Sequence, residues 1–240
     1  MSNTETTFHP LETYKIPTLP PSAYYIPSFL SPSESTELLS QISTHPWTTL
    51  THRRLQPHPA PLTPSGHLLT SKPLPKFLES IASRLLSLKF SDETGIFTTS
   101  PHGKPNHVLI NEYPPSTGIP SHEDGAAYFP VVCTVSLSSH IVLEVTPKNG
   151  GGGYRIFQEP ESLLVTTEEV YREHLHGIEA VEVDGDLSEG TVANWGSLSD
   201  EVKRRILEGG GEVRREGVRI SLTYRDVIKV KDAGRLFGRR

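Results

Sequence analysis

Apolar residues recur along this chain with two different spacings, and the change between them, near residue 106, separates a helical first part from a strand-rich second part. Ser31-Pro32-Ser33-Glu34 carries the marks of a helix start. Ser31 can cap free N–H groups, Pro32 occupies the first helical position, where its missing donor costs nothing, and Glu34 can close a capping box. Leu38, Leu39 and Ile42 then fall on one face. The spacing predicts a second helix over 74–88, with Phe77, Ile81, Leu85 and Leu88 covering one side. Between the two helices, 49–71 contains Pro57, Pro59, Pro61 and Pro64 and reads as a long, exposed, basic loop. A loop of that length in a compact domain is functional or disordered. Residues 1–22, rich in Thr and Pro, read as an irregular arm with little to bury.

From His107 the apolar runs become short and are punctuated by Gly, Pro, Asn and Asp. Strands are predicted near 108–113, 131–138, 141–145, 154–157, 162–166, 180–183, 191–194 and 218–224, with a short helix over 168–175. Many short strands at even spacing indicate a sandwich or barrel, and a double-sheet jelly roll has about eight. The fold class is therefore mainly β, of the α+β kind, with N-terminal helices. The glycine runs at 150–153 and 209–211 fit no phosphate-cradle pattern and read as connectors.

At 240 residues the chain suits one well-cored domain. Its single cysteine, Cys133, excludes an internal disulfide and any all-protein cysteine cluster for zinc or iron–sulfur. No apolar run approaches 18 residues, and 1–10 lacks the basic start and apolar core of a secretory signal. An intracellular protein of the nucleus or cytoplasm, monomeric and without a membrane partner, is expected. The net charge of −5 is unevenly spread. Residues 45–90 hold six Lys/Arg against Glu79 alone, 203–240 hold twelve against five acids, and 156–190 hold ten acids against Arg172. Such asymmetry allows a basic face toward a polyanion on an acidic protein.

The candidate chemistry begins at His122-Glu123-Asp124. On an extended segment, residues two apart project to one side, so His122 and Asp124 can offer an imidazole and a carboxylate to one ion. They make two thirds of the 2-His-1-carboxylate set that leaves positions open on non-haem Fe(II). Of the eleven histidines, ten remain for the third place, and His176, beside Gly177, and His174 are the leading candidates. In Arg219-Ile-Ser-Leu-Thr-Tyr-Arg225, alternation puts Arg219, Ser221, Thr223 and Arg225 on one strand face and Ile220, Leu222 and Tyr224 on the other. An arginine at each end of a polar face suits the lining of a barrel, where a guanidinium fork can grip a carboxylate.

Taken together, Asn111-x-Tyr113, His122-x-Asp124, the later His176-Gly-Ile and Arg219-x5-Arg225 resemble the AlkB family of Fe(II)/2-oxoglutarate dioxygenases. The likeness runs from about Tyr24 and is strongest over 106–226. It implies a double-stranded β-helix (jelly-roll) core over 106–228, a helical extension with a region like a nucleotide-recognition lid over 23–105, and a basic tail over 229–240, all one domain from 23 to 240. It selects His176 over His174, and so implies His122, Asp124 and His176 on iron. It also implies that Arg219, with Asn111, Tyr113 and Ser221, binds 2-oxoglutarate, and that Arg225 lies near Asp124 and the cofactor's other carboxylate. The cofactors implied are Fe(II), 2-oxoglutarate and O2. The reaction is oxidative decarboxylation to succinate and CO2 coupled to hydroxylation, which releases an N-methyl group as formaldehyde. The implied substrate is an N-alkylated base in nucleic acid, single-stranded or flipped out of a duplex, as in DNA or RNA repair. Arg53 and Arg54 are then expected to track phosphates, and Tyr128 and Phe129 to border the base. The alternatives are a protein hydroxylase or demethylase of the same chemistry, a catalytically silent jelly-roll binding protein, and a zinc hydrolase, for which the Arg219 strand has no use.

Overall fold

The alternation in the strand-rich part sorts onto two facing sheets. The computed structural model describes residues 10–232 except 21, 52 and 71, so the start of the arm and most of the basic tail lie outside the described residues. The first part contributes β1 (Ala23–Ile26), α1 (Pro32–Ser43), β2 (Thr48–Thr49), β3 (Arg54–His58), β4 (Leu68–Leu69) and α2 (Lys76–Leu86). Next come β5 (His107–Tyr113), β6 (Ile119–His122), β7 (Val131–Leu137), β8 (Ile141–Pro147), β9 (Tyr154–Gln158), β10 (Leu163–Thr167), α3 (Glu168–Glu173) and β11 (His174–Ile178). The chain ends with β12 (Val183–Asp184), α4 (Asp200–Glu208), β13 (Val213–Arg214), β14 (Arg219–Arg225) and β15 (Val230–Lys231).

The large sheet has the order β1-β10-β7-β14-β5-β3-β2 and the small one β6-β11-β8-β9. Strands β5 to β11 and β14 pass back and forth between the two, which is the jelly-roll arrangement of a mainly β protein. Period-two alternation gives the large sheet two different faces. Outward, Val108, Ile110, Cys133, Val135, Leu222 and Tyr224 join one core with Leu38 and Ile42 of α1 and Leu78, Ile81 and Leu85 of α2. Inward lies the polar face that carries the site. A second core, including Val142, Ile156, Phe157 and Ile206, reaches the cavity through Val145, Leu164 and Val170. No helix among the described residues is long and apolar enough to cross a membrane.

Helix α1 starts as expected: the Ser31 side chain accepts from the Glu34 N–H and the Glu34 carboxylate accepts from the Ser31 N–H, a closure worth about 1 kcal/mol. Elsewhere the structure corrects the sequence. The stretch 49–71 is not all loop, because β3 pairs with β5 from Arg54↔Glu112 to His58↔Val108. Proline is tolerated there because β2 covers only Leu55 and Arg54, leaving the outer side of Pro57 with no ladder bond to make. From residue 10 the arm is not free: Leu11 opens a short 3-10 turn, and Leu11, Ile16 and Leu19 are buried. In α2 the buried face is Leu78, Ile81, Ala82 and Leu85, with Phe77 at its margin. Helix α3 ends at Glu173, and the chain is already extended at His174. Residues 191–194 form no strand, only a bridge from Val192 to Arg155, and the strand placed at 180–183 shortens to β12.

Two buried histidines make the fold acid-sensitive. Burial, helped by His45, holds His58 at a pKa of about 4, and burial, with Arg225 next in importance, does the same to His107. Between pH 4 and 6.5 the unfolded chain binds protons that the folded one refuses, so stability falls as pH drops through that window, by up to about 3 kcal/mol for His107 and by less for the more solvent-screened His58. His107→Phe should flatten the fall of the thermal midpoint between pH 6.5 and 4; an unchanged slope would refute the assignment.

Candidate active site

Strands β6 and β11 pair with His176 opposite His122, and the two imidazoles meet with ring centroids 4.4 Å apart. Asp124, two residues beyond His122, completes a cluster whose ligand atoms all lie within 4.8 Å of one another. The His122 Nδ1–H donates to the Pro120 carbonyl at 2.9 Å, which leaves Nε2 with a lone pair for an ion. Burial lowers His176 to a pKa of about 4, so this ring is neutral near pH 7. Arg225 forms an ion pair with Oδ1 of Asp124, both side chains being more than nine-tenths buried. His174 also lies on β11 and is buried, but it packs beside Tyr154, and the metal-capable cluster is made with His176.

Two glycines let the strands come this close. A Cβ on Gly118 would stand 2.1 Å from the Ile178 carbonyl oxygen, and one on Gly177 would stand 3.0 Å from the Ser121 nitrogen. Both neighbours are backbone and cannot swing away. Gly118→Ala is therefore expected to force β6 and β11 apart, costing about 1–3 kcal/mol and weakening iron binding. Thermal denaturation and an Fe(II) titration would test this, and no change in either would sink it.

The cavity between the sheets has a volume of about 220 Å³, and Arg219 lies at the end of β14 across it. Register places Arg219 opposite Tyr113 and Ser221 opposite Asn111, so all four share the inward face. Arg219 is 3% exposed and has no carboxylate partner among the described residues. Its Nη2 donates to Ser136 Oγ (2.8 Å) and Gln158 Oε1 (2.9 Å), and its guanidinium sits 5.7 Å from the Tyr113 ring. Burial pulls its pKa down to about 10 and pushes the Tyr113 phenol up. Four buried polar atoms of the lining side chains have no partner: Asn111 Oδ1 and the Nε of Arg53, Arg219 and Arg225. Three unsatisfied cationic donors around a cavity fit an anionic ligand, and a dicarboxylate can answer donors at both ends.

The structure divides the expected substrate residues. Arg53 and Tyr128 line the cavity, with the Arg225 guanidinium 4.8 Å over the Tyr128 ring. Arg54 does not: it makes a two-pronged pair with Glu112 (2.9 and 2.5 Å) and lies over Trp47, because neighbours on a strand point to opposite faces. Phe129 likewise packs into the core beneath the large sheet. Three contributors escaped the sequence reading. Ser136 and Gln158 hold Arg219, and the Tyr171 hydroxyl donates to the Gly125 carbonyl at 2.6 Å, pinning the turn after Asp124. Burial, and then the charge of Asp124, push the Tyr171 phenol up. Polar residues at inward positions of apolar strands were the available signal for Ser136 and Gln158.

Over residues 22–225 the chain matches the 2OG-Fe(II) oxygenase superfamily. It is also 33% identical to the probable RNA/DNA demethylase ALKBH6 of Danio rerio, across 96% of each chain. The chain belongs to the AlkB family of 2OG-Fe(II) oxygenases. Solved structures agree in fold: that of OsALKBH1 aligns with a TM-score of 0.56 at 15% identity over 87% of this chain and 98% of its own. An oxidoreductase of the 2OG-Fe(II) oxygenase family from Burkholderia pseudomallei gives 0.52 at 13%, over 88% and 89%. As an AlkB-family enzyme the protein is a dioxygenase, and its cofactors are Fe(II), 2-oxoglutarate and O2.

Proposed function

We propose that this AlkB-family dioxygenase removes N-alkyl groups oxidatively from bases in nucleic acid, with His122, Asp124 and His176 holding iron and Arg219 holding the distal carboxylate of 2-oxoglutarate. The observation that carries the reading is the placement of the His-Asp-His cluster and the unpaired, buried Arg219 in one cavity. Bound iron with 2-oxoglutarate and O2 supplies the oxidation of a C–H bond, and a hydroxylated N-methyl group leaves as formaldehyde. The protein's own residues bind and orient. Ser136 and Gln158 fix the Arg219 fork, and Asn111, Tyr113 and Ser221 stand beside it to receive the carboxylate. Arg225 holds Asp124 in place and offers its free Nε to the proximal carboxylate. Leu109, Val132, Leu143 and Leu164 line the path between and exclude water. Arg53 and Tyr128 stand where an extruded base enters, one suited to a phosphate and the other to the face of a base. The similarity to a protein named a probable RNA/DNA demethylase supports this substrate class.

The test is formaldehyde and succinate release across N-methylated DNA and RNA oligonucleotides, single- and double-stranded, with methylated peptides alongside. Formaldehyde from an oligonucleotide is expected. Release from peptides alone would replace the proposal with a protein demethylase.

A further inference from the structure

Beyond Arg225 the chain does not simply leave the site. Asp226 is fully buried, and its carboxylate accepts from the His102 N–H (3.0 Å), the His102 ring (2.6 Å) and Asn106 (2.7 Å), which fixes the direction of exit. Val227 bridges to Tyr128, and the Ile228 N–H donates to the Ala127 carbonyl at 3.0 Å. After a bend at Ile228 the chain then pairs with β4: the Leu68 N–H donates to the Lys229 carbonyl (2.9 Å) and the Thr70 N–H to the Lys231 carbonyl (3.1 Å). One strap thus ties the Tyr128 rim of the cavity to the segment 68–72.

This strap is poorly placed to stabilise the fold. Its ladder with β4 has two strands, and Ile228 and Val230 are 40% and 39% exposed; an isolated two-stranded pair is marginal in water. Its charges are distinctive. Lys229 and Lys231, two apart on extended chain, project to one side, and Lys72 follows β4 on the partner segment. Lys72, Lys76, Lys229 and Lys231 are exposed, and none has an ion-pair partner among the described residues, whereas Arg204, Arg205 and Arg214 elsewhere close on carboxylates. In sequence, Arg235, Arg239 and Arg240 follow. Lys229 and Lys231 follow the Val227–Tyr128 bridge by two and four residues. A strand whose base is inserted past Tyr128 must lay its flanking phosphates over this rim.

We propose that the strap of residues 227–231, with Lys72, is a phosphate-binding edge that carries single-stranded nucleic acid flanking the inserted base. The proposal rests on the nucleic-acid reading above. It is tested with the full chain and fluorescein-labelled, mixed-sequence 15-nucleotide single-stranded DNA and RNA, by anisotropy from 50 to 300 mM NaCl. For Lys229→Gln/Lys231→Gln the loss of two phosphate contacts should lower the slope of log K against log salt by about 1.4 and weaken binding about 10- to 30-fold near 0.1 M salt. The thermal midpoint should be unchanged, and Lys229→Arg/Lys231→Arg should restore both affinity and slope. Salt-dependent binding by the natural protein with unaltered affinity and slope in the Gln variant overturns the strap proposal alone. Absence of any salt-dependent binding by the natural protein overturns the nucleic-acid reading and the strap with it.

Discussion

His176→Ala is expected to abolish Fe(II)-dependent conversion of 2-oxoglutarate to succinate while the protein stays folded. The loss should exceed the roughly 10- to 100-fold that follows removal of a residue merely orienting a metal ligand, because His176 supplies one of three donor atoms in a cluster less than 5 Å across. Asp124→Ala should abolish turnover equally but behave differently as a protein. Asp124 carries the only ion pair of Arg225 among the described residues, and the Arg225 side chain is 8% exposed. Its removal leaves a buried guanidinium without its counter-charge, at a cost of about 3–5 kcal/mol. His176 carries no such partner. Asp124→Asn returns an acceptor to Arg225, so it should recover part of the thermal midpoint without recovering turnover. Fe(II) titration, succinate release and thermal denaturation of the three variants separate the cases. Iron-dependent turnover in His176→Ala would refute the ligand assignment, and equal midpoints for Asp124→Ala and His176→Ala would refute the role given to Arg225.

Much of this site is legible where the physics is local. Alternation in β14 alone separates Arg219, Ser221, Thr223 and Arg225 from Ile220, Leu222 and Tyr224, and the latter three do join the outer core. The capping box of α1 is local in the same sense. What failed depended on partners far away in sequence. β3 contains a proline and reads as loop, yet 58 residues separate Arg54 from the Glu112 that pairs with it. That pairing also decides that Arg53 faces the cavity and Arg54 does not, a distinction hidden in two adjacent arginines. β6 is four residues long, contains Pro120 and lacks alternation, so only its partner β11 makes it a strand. His174 and His176 occupy equivalent faces of β11 and differ only in what lies opposite. The sequence around Glu168–Glu173 has helical spacing, but its helix stops where β11 pairs with β8 from His174↔Pro147 onward. A serine and a glutamine at inward positions of apolar strands mark Ser136 and Gln158 only as polar lining; their purpose comes from Arg219, 83 and 61 residues away.

Arg219→Met should show the conflict between stability and cofactor binding most clearly. In the protein without ligand, Arg219 is buried with neutral acceptors only, and burial pulls its pKa from 12.5 to about 10. The guanidinium stays charged in folded and unfolded chains alike, so the fold bears the cost of the buried charge, on the order of 3 kcal/mol. Methionine of similar length removes that cost, while Ser136 and Gln158 keep the 3.0 Å hydrogen bond between them. The ligand-free variant should therefore melt higher than the natural protein. Cofactor binding should move the opposite way. Truncating one partner of a buried, hydrogen-bonded charge pair costs about 2–5 kcal/mol, which raises the KM for 2-oxoglutarate by roughly 30- to several-thousand-fold at the same conversion. Under anaerobic conditions with Fe(II) and excess 2-oxoglutarate, the natural protein gains stability by mass action and the variant gains little. The order of the two thermal midpoints should then reverse. If the variant melts below the natural protein in both conditions, Arg219 is a structural ion and the carboxylate it awaits lies elsewhere.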